Sequence, residues 1–298
     1  MDQAQSLREY MNRLNAVEPP KPKKPSSRVL TITSGKGGVG KSNFTLNFAL
    51  GLKEAGKKVV VLDLDLSTAN INILMGITPK YSLIDVLHQN KSIWDVIEKG
   101  TAGIEYISGG LDIQDLMDLD ERKLLFFWNQ IQKLQSYADL ILLDTGAGVS
   151  KELVDFILAS DETFMVTTPE PTSMADSYAV LKTVLHFTNK APKFNLVVNR
   201  SQNYREAVET AKTLRNACKN FLKLDLRLIG SVMEDHHVRQ SVRAQTPFYL
   251  TYPNCPASKS IKQIVYTYLP EMEETPTAAA PAGIRGFFEK ILSFKRMS

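Results

Sequence analysis

The chain has 298 residues, 43% of them hydrophobic, with a formal net charge of +4 and two cysteines, enough apolar material for one large or two small domains. Met1 to Arg13 is polar, with no apolar stretch behind it, and no run reaches the eighteen apolar residues of a membrane span, which excludes a secretory leader and a spanning helix. Cys218 and Cys255 stand alone, which excludes a disulfide framework and a CxxC metal set and fits a reducing cytoplasm.

In chain order, residues 1–16 read as a short helix. Asp2 serves as N-cap, and Ala4, Leu7, Met11 and Leu14 recur at helical spacing. Residues 17–27 hold four prolines between positions 19 and 25 and read as an extended tether. Residues 28–269 alternate short apolar runs with amphipathic stretches. Val29–Thr33, Val59–Leu64, Leu140–Leu143, Thr163–Thr167, Leu196–Val198 and Leu228–Val232 read as buried strands, and Asn43–Ala55 and Glu121–Gln135 as helices. Near-continuous apolar strands separated by helices predict an α/β fold, a doubly wound, mostly parallel sheet covered on both faces. Residues 270–282 read as a second linker and residues 283–298 as a terminal helix. Charge is uneven: residues 1–28 carry six Lys/Arg against three acids, residues 283–298 four against one, and residues 29–269 twenty-six against twenty-five. A nearly neutral body argues against a broad nucleic-acid surface.

Gly35-Lys36-Gly37-Gly38-Val39-Gly40-Lys41-Ser42 follows the first strand and opens a helix. In that setting glycines let backbone N–H groups curl around a phosphate, and the helix N-terminus adds partial positive charge. Lys41 suits the β- and γ-phosphates and Ser42 suits Mg²⁺, so ATP/ADP and Mg²⁺ are the expected cofactors of a P-loop ATPase. The extra lysine, Lys36, makes the loop resemble the deviant Walker-A ATPases of the MinD/ParA family, whose signature is KGGxGK[ST]. The resemblance implies an ATP-dependent homodimer in which Lys36 reaches the partner's phosphates.

Two more stretches carry the resemblance. Asp63-Leu64-Asp65-Leu66-Ser67-Thr68-Ala69-Asn70 closes the second strand and looks like the family's switch I. Asp65, 24 residues after Lys41, is implied to orient the attacking water, with Asp63 and Asn70 in support. Asp144-Thr145-Gly146-Ala147-Gly148 follows a buried strand as a Walker-B and switch II arrangement. Asp144 is implied to hold Mg²⁺ through water, and Gly146 or Gly148 to sense the γ-phosphate. Asn199-Arg200 matches the family's base-binding position; the Asn199 amide can pair with both adenine edges. Adjacent His236 and His237 read as ordinary polar residues of the surface, since neighbours on a helix do not face one site.

The terminal helix places Ile284, Phe287, Phe288, Ile291 and Leu292 at i, i+3, i+4, i+7 and i+8. This suits an interfacial helix on anionic lipid, as MinD-type proteins carry, or a helix docked on its own core or on a partner. Asp2-Gln3-Ala4-Gln5-Ser6-Leu7-Arg8 resembles the DQAxxLR motif of the FlhG family, the flagellar-number branch of the MinD group. The resemblance implies that Gln3, Leu7 and Arg8 contact an FlhF-like GTPase of the signal-recognition-particle type. It further implies flagellar basal-body components as partners, and a cytoplasmic protein that joins the membrane peripherally with ATP. Division-site or plasmid-partition ATPases of the same family are the alternative.

Overall fold

The computed structural model describes residues 27–65, 70–88, 91–109, 120–274 and 283–296. The N-terminal helix with Gln3, Leu7 and Arg8, the proline tether up to residue 26, and Leu66 to Ala69 of switch I lie outside the described residues.

Eight strands form one sheet: β1 (Arg28–Thr33), β2 (Val59–Asp63), β3 (Glu98–Lys99), β4 (Glu105–Ser108), β5 (Leu140–Asp144), β6 (Glu162–Thr167), β7 (Phe194–Ser201) and β8 (Arg227–Met233). Their order is β3-β4-β2-β5-β1-β6-β7-β8. All neighbours are parallel except β3, which runs antiparallel to β4. The six expected strands are present with shifted ends. β3 and β4 are additions to that expectation: β3 is a charged dipeptide, and β4 is Glu105-Tyr106-Ile107-Ser108, too short and too polar to stand out as a buried run.

The helices are α1 (Lys41–Glu54), α2 (Asn70–Met75), α3 (Leu83–His88), α4 (Ile93–Val96), α5 (Glu121–Tyr137), α6 (Lys151–Ala159), α7 (Pro171–His186), α8 (Tyr204–Ala217), α9 (His236–Arg243), α10 (Phe248–Thr251), α11 (Pro256–Glu274) and α12 (Gly283–Arg296). A π-helical turn, Cys218–Leu222, follows α8. The sheet's side chains alternate between two apolar layers. Leu140 and Leu142 join the layer under α1 and α11, whereas Ile141 and Leu143 join the layer under α3, α4, α5 and α12. Such alternation is the period-2 geometry of a strand buried on both faces.

Two boundaries differ from expectation. The body's last helix does not stop before Pro270 but runs through it to Glu274. The proline removes the hydrogen bond to the carbonyl of residue 266 and its ring crowds that carbonyl, but residue 266 lies on the exposed side of the helix, where water can take the lost bond. The larger difference is α12. Ile284, Phe287, Phe288, Ile291 and Leu292, expected to face lipid, are buried in the body's own apolar layer. Phe288 meets Phe127 edge-on at 5.3 Å and Phe287 stacks on Phe156 at 5.9 Å. The Gln135 side chain accepts from the Arg285 N–H at 3.0 Å, and Lys290 Nζ donates to the Ala159 carbonyl at 3.3 Å. Five adjacent apolar side chains gain more against a protein groove than in water, so in the absence of lipid the helix covers α5 and α6.

Candidate functional site

Parallel strands deliver their C-terminal ends to one edge of the sheet, where α/β proteins bind ligands. That edge gathers the ends of β1, β2, β5 and β7, and with them the P-loop, Asp63, Asp65, Asp144 and Asn199. The P-loop leaves β1 and turns into α1 through Gly40, whose φ of +91° requires a residue without a β-carbon. Gly35 is required for space: a Cβ there would lie 2.2 Å from the Asp176 backbone of α7. The P-loop is thus wedged directly under α7.

Lys41 Nζ donates to Asp144 Oδ1 at 2.8 Å, and Thr45 Oγ1 donates to the same oxygen at 2.8 Å. Both partners of the ion pair are buried, Asp144 completely. Asp144 Oδ2 is buried and has no hydrogen-bond partner among the described residues. Ser42 Oγ stands 3.3 Å from Lys41 Nζ. An orphaned buried carboxylate oxygen close to a helix-start hydroxyl fits Mg²⁺, a hard cation that takes oxygen ligands and keeps several waters. The residues present therefore suit the ion, which would also replace Lys41 as the counter-charge of Asp144 and release that lysine to phosphate.

Asp63 is spent on the backbone. Its carboxylate accepts from the N–H groups of Asp65 at 3.2 Å and Ile71 at 3.1 Å, so it ties together the two described ends of switch I. Burial, helped by the charge of Asp144, raises its pKa to about 6 against those hydrogen bonds. Asp65 is half-buried and its Oδ2 accepts from Asn70 Nδ2 at 3.3 Å. On the other side, the Gly148 N–H donates to the Ser34 carbonyl at 3.0 Å and so fastens switch II to the P-loop. Gly146 is open, with nothing within 4 Å of where a Cβ would stand. Of the two glycines, Gly146 is the one left accessible to a phosphate.

Lys36 lies apart from this cluster. Its Nζ is 3.2 Å from Glu170 Oε2 and 3.1 Å from Thr172 Oγ1, at the start of α7. Both members of the pair are largely exposed, so water screens the contact and it surrenders easily.

A cavity of about 400 Å³ opens beside Gly40 between Asn199-Arg200 and the segment after β8. Asn199 Nδ2 donates to the Val39 carbonyl at 2.7 Å, which uses one of the two N–H groups of its amide. The second N–H and Oδ1 remain available to a base as donor and acceptor. Arg200 holds a φ of +59° beside it. Glu234, Asp235, Arg239 and Arg243 also line the cavity; they fall in the late run 233–247 that shares the family resemblance, but the resemblance assigns them no role.

The two adjacent histidines do converge, contrary to expectation. Their rings lie 3.9 Å apart, and His237 Nδ1 is 2.8 Å from Asp235 Oδ1. In the first turn of α9 both rings can fold back toward the cap residue. That carboxylate is already the N-cap, accepting from the N–H groups of His237 and Ala257. Burial would raise its pKa, but these bonds outweigh burial and lower it to about 2.

Residues 26–269 match the family model named ParA, described as NUBPL iron-transfer P-loop NTPase. The chain is similar to the antiactivator FleN of Pseudomonas aeruginosa, at 30% identity over 88% of this chain and 91% of that one. It is 29% identical to the flagellum site-determining protein YlxH of Helicobacter pylori, over 91% and 92% of the two chains. The septum site-determining protein MinD of Helicobacter pylori is 33% identical over 88% and 97%. Among solved structures, MinD complexed with Mg-ADP from Pyrococcus horikoshii superposes with a TM-score of 0.65 at 24% identity, covering 84% of this chain and 99% of that one.

Proposed function

Because this chain belongs to the ParA/MinD family of P-loop ATPases, we propose that it is an ATP-gated switch that regulates the placement and number of flagella. The observation that carries the gating is α6. It is capped by Ser150, directly after switch II, runs from Lys151 and ends at Ala159, whose carbonyl holds Lys290 of the docked α12. One rigid helix therefore joins the γ-phosphate side of the sheet to the groove that sheathes the terminal amphipathic helix.

The cycle follows from the residues. When nucleotide binds, P-loop N–H groups hold the β-phosphate and Lys41 leaves Asp144 for the phosphate oxygens. Ser42, and Asp144 through water, would hold Mg²⁺, which would supply charge neutralisation on the phosphates. Asp65 orients the attacking water. Lys36 leaves Glu170 and neutralises charge on the partner's phosphates in a homodimer, a role like that of an arginine finger. Switch II closes on the γ-phosphate through Gly146, α6 shifts, and α12 is released.

Burial of five apolar side chains is worth about 1.5–3 kcal/mol each relative to water. Insertion into a lipid interface returns a similar amount, so docked and membrane-bound helices are close to balance. Two released helices on one dimer then gain avidity. Hydrolysis separates the dimer and returns α12 to its groove.

Relatives that span nearly the whole chain support the flagellar assignment: FleN is named as an antiactivator and YlxH as a flagellum site-determining protein. The N-terminal DQAQSLR motif supports an FlhF-like GTPase as the partner stimulated by residues 1–16, with basal-body components as further partners. A division-site role remains the second reading, favoured by the MinD relative. Iron transfer has less support, since Cys218 and Cys255 are both buried and burial raises the Cys218 thiol to about 11.

Sedimentation with anionic liposomes tests the switch. Binding is expected with ATP and Mg²⁺, but not with ADP or after removal of residues 283–298; binding indifferent to both would remove the reading. Removal of residues 1–26, which leaves β1 intact, is expected to abolish stimulation of an FlhF-like GTPase while ATP-dependent membrane binding persists. Unchanged stimulation would favour the division-site alternative.

A further inference from the structure

The lower rim of the molecule, at the N-terminal ends of the strands, carries a charge concentration that the balanced total conceals. Segments 182–193 and 212–228 together contain eight Lys/Arg and one acid, Asp225. The first is the end of α7 and its link into β7; the second is the end of α8, the π-helical turn and the link into β8. α7 packs against both α8 and the π-helical turn, so the two segments are neighbours. Each offers a phenylalanine to solvent, Phe187 at 62% and Phe221 at 77% exposure. Lys190, Lys219 and Lys223 beside them are exposed as well. Lone exposed apolar residues are ordinary, but two large aromatics set among lysines on adjoining turns are not.

The position of the rim selects its occupant. α12 lies along the same edge, since Gln135 and Ala159, its two polar anchors, stand just before β5 and β6. The helices α5, α6, α7 and α8 also share one face of the sheet with α12. On release α12 stays tethered through residues 275–282 to the end of α11 at Glu274, so a bilayer that receives it lies within reach of the body, and the positive charge of this rim favours an anionic surface. We propose that Phe187, Phe221 and the surrounding lysines form a second membrane contact, in which the phenylalanines enter the headgroup region and the lysines attract anionic lipid. The rim fixes the orientation of the body on the membrane, where a helix on a linker alone would leave it free to tumble. The lysines draw the protein to the surface and the aromatics make the contact short-ranged.

The inference rests on membrane attachment through α12, and the experiment separates the two. The full chain with ATP and Mg²⁺ is titrated with vesicles of phosphatidylglycerol and phosphatidylcholine. The variants are Phe187→Ser/Phe221→Ser, Lys190→Glu/Lys219→Glu/Lys223→Glu, and a chain ending at residue 282. Each lysine near an anionic surface contributes roughly fivefold, so the triple variant is expected to bind roughly a hundredfold more weakly. The serine pair is expected to lose roughly a hundredfold as well, with ATP turnover and dimerisation unchanged in both. In parallel, Phe221→Trp is tested for quenching by brominated lipid, with the wild-type signal of Trp94 and Trp128 subtracted. Quenching of the new tryptophan supports the contact. A protein that sediments through α12 without that quenching, or rim variants that bind as wild type does, overturns the rim while leaving the switch intact. Loss of binding confined to the chain ending at 282 likewise overturns the rim and spares the switch. If wild type binds no vesicles, both proposals fall. A triple variant that loses binding to duplex DNA but keeps vesicle binding assigns the basic rim to nucleic acid and overturns the lipid contact.

Discussion

The two edges of the sheet are built from the same strands and obey different rules. At the C-terminal edge, polar side chains are held by short, directed bonds: Lys41 to Asp144 at 2.8 Å, Asn199 to the Val39 carbonyl at 2.7 Å and Gly148 to the Ser34 carbonyl at 3.0 Å. At the N-terminal edge the α12 contact is dominated by apolar burial, with two peripheral hydrogen bonds. Directed bonds discriminate between phosphates; apolar burial does not discriminate between a groove and a bilayer. The first edge senses a ligand, and the second is able to change partners.

The comparison breaks most visibly if the signature lysine is dispensable. Lys36→Ala is expected to lower ATP turnover about a thousandfold, in the range of trans-acting cations on phosphoryl transfer. Nucleotide affinity should stay within a few-fold, because Lys36 contacts α7 rather than the P-loop cradle. Single-turnover hydrolysis and nucleotide titration separate the two quantities. A variant that turns over normally would mean that the charge at this edge is complete within one chain.

Phe287→Ala sharpens the other side. In a packed layer a phenylalanine truncation costs about 3–5 kcal/mol. Here the cost is capped, because once docking is weaker than the loss, α12 detaches and no further destabilisation follows. Denaturant unfolding of nucleotide-free protein is expected to show a loss up to that cap. Under ATP with Asp65→Ala blocking turnover, the loss should shrink toward zero. An equal loss in both states would place α12 permanently in the body.

How much of this was legible follows from the same contrast. The P-loop, Asp65 and Asp144 could be read because phosphate chemistry demands particular residue types at fixed spacing, next to strands apolar enough to be recognised. The far wall of the cavity could not: Arg239 and Arg243 come from α9, about 200 residues beyond the P-loop, and only the strand order brings them there. For α12 the pattern was legible but its partner was not. The spacing of Ile284, Phe287, Phe288, Ile291 and Leu292 specifies an apolar stripe, and such a stripe fits lipid and protein equally well. The basic rim was invisible because its lysines are diluted by acids elsewhere in the chain.

Asp63 offers a test in pH. Its folded pKa of about 6 lies above the unfolded value of 3.8, so between those values the folded state holds the extra proton. Stability therefore falls as pH rises through the window, and the full penalty is present above pH 6. At 1.36 kcal/mol per unit the penalty is at most about 3 kcal/mol, and Asp63→Asn removes it while retaining an acceptor for Ile71. The variant is expected to melt higher than wild type at pH 8, with the gap closing as pH falls toward 4. A gap independent of pH would show that the fold does not shift the carboxylate's pKa. Added Mg²⁺ and ATP should reverse the order at pH 8, since the cation stabilises the charged cluster.

The smallest effect is the most specific. The Lys36–Glu170 pair is exposed on both sides, so Glu170→Gln is expected to change thermal stability by less than about 1 kcal/mol. The same contact nevertheless holds the signature lysine in place within one chain, and loosening it removes a competitor for the partner's phosphates. If that competition is real, the ATP-bound dimer of Glu170→Gln should form at protein concentrations up to about fivefold lower, the equivalent of the same 1 kcal/mol. Analytical ultracentrifugation in the Asp65→Ala background measures it without interference from hydrolysis. Equal dimerisation in both forms would mean that Lys36 is not restrained by α7, and that the first step toward the dimer lies in the buried Lys41–Asp144 pair.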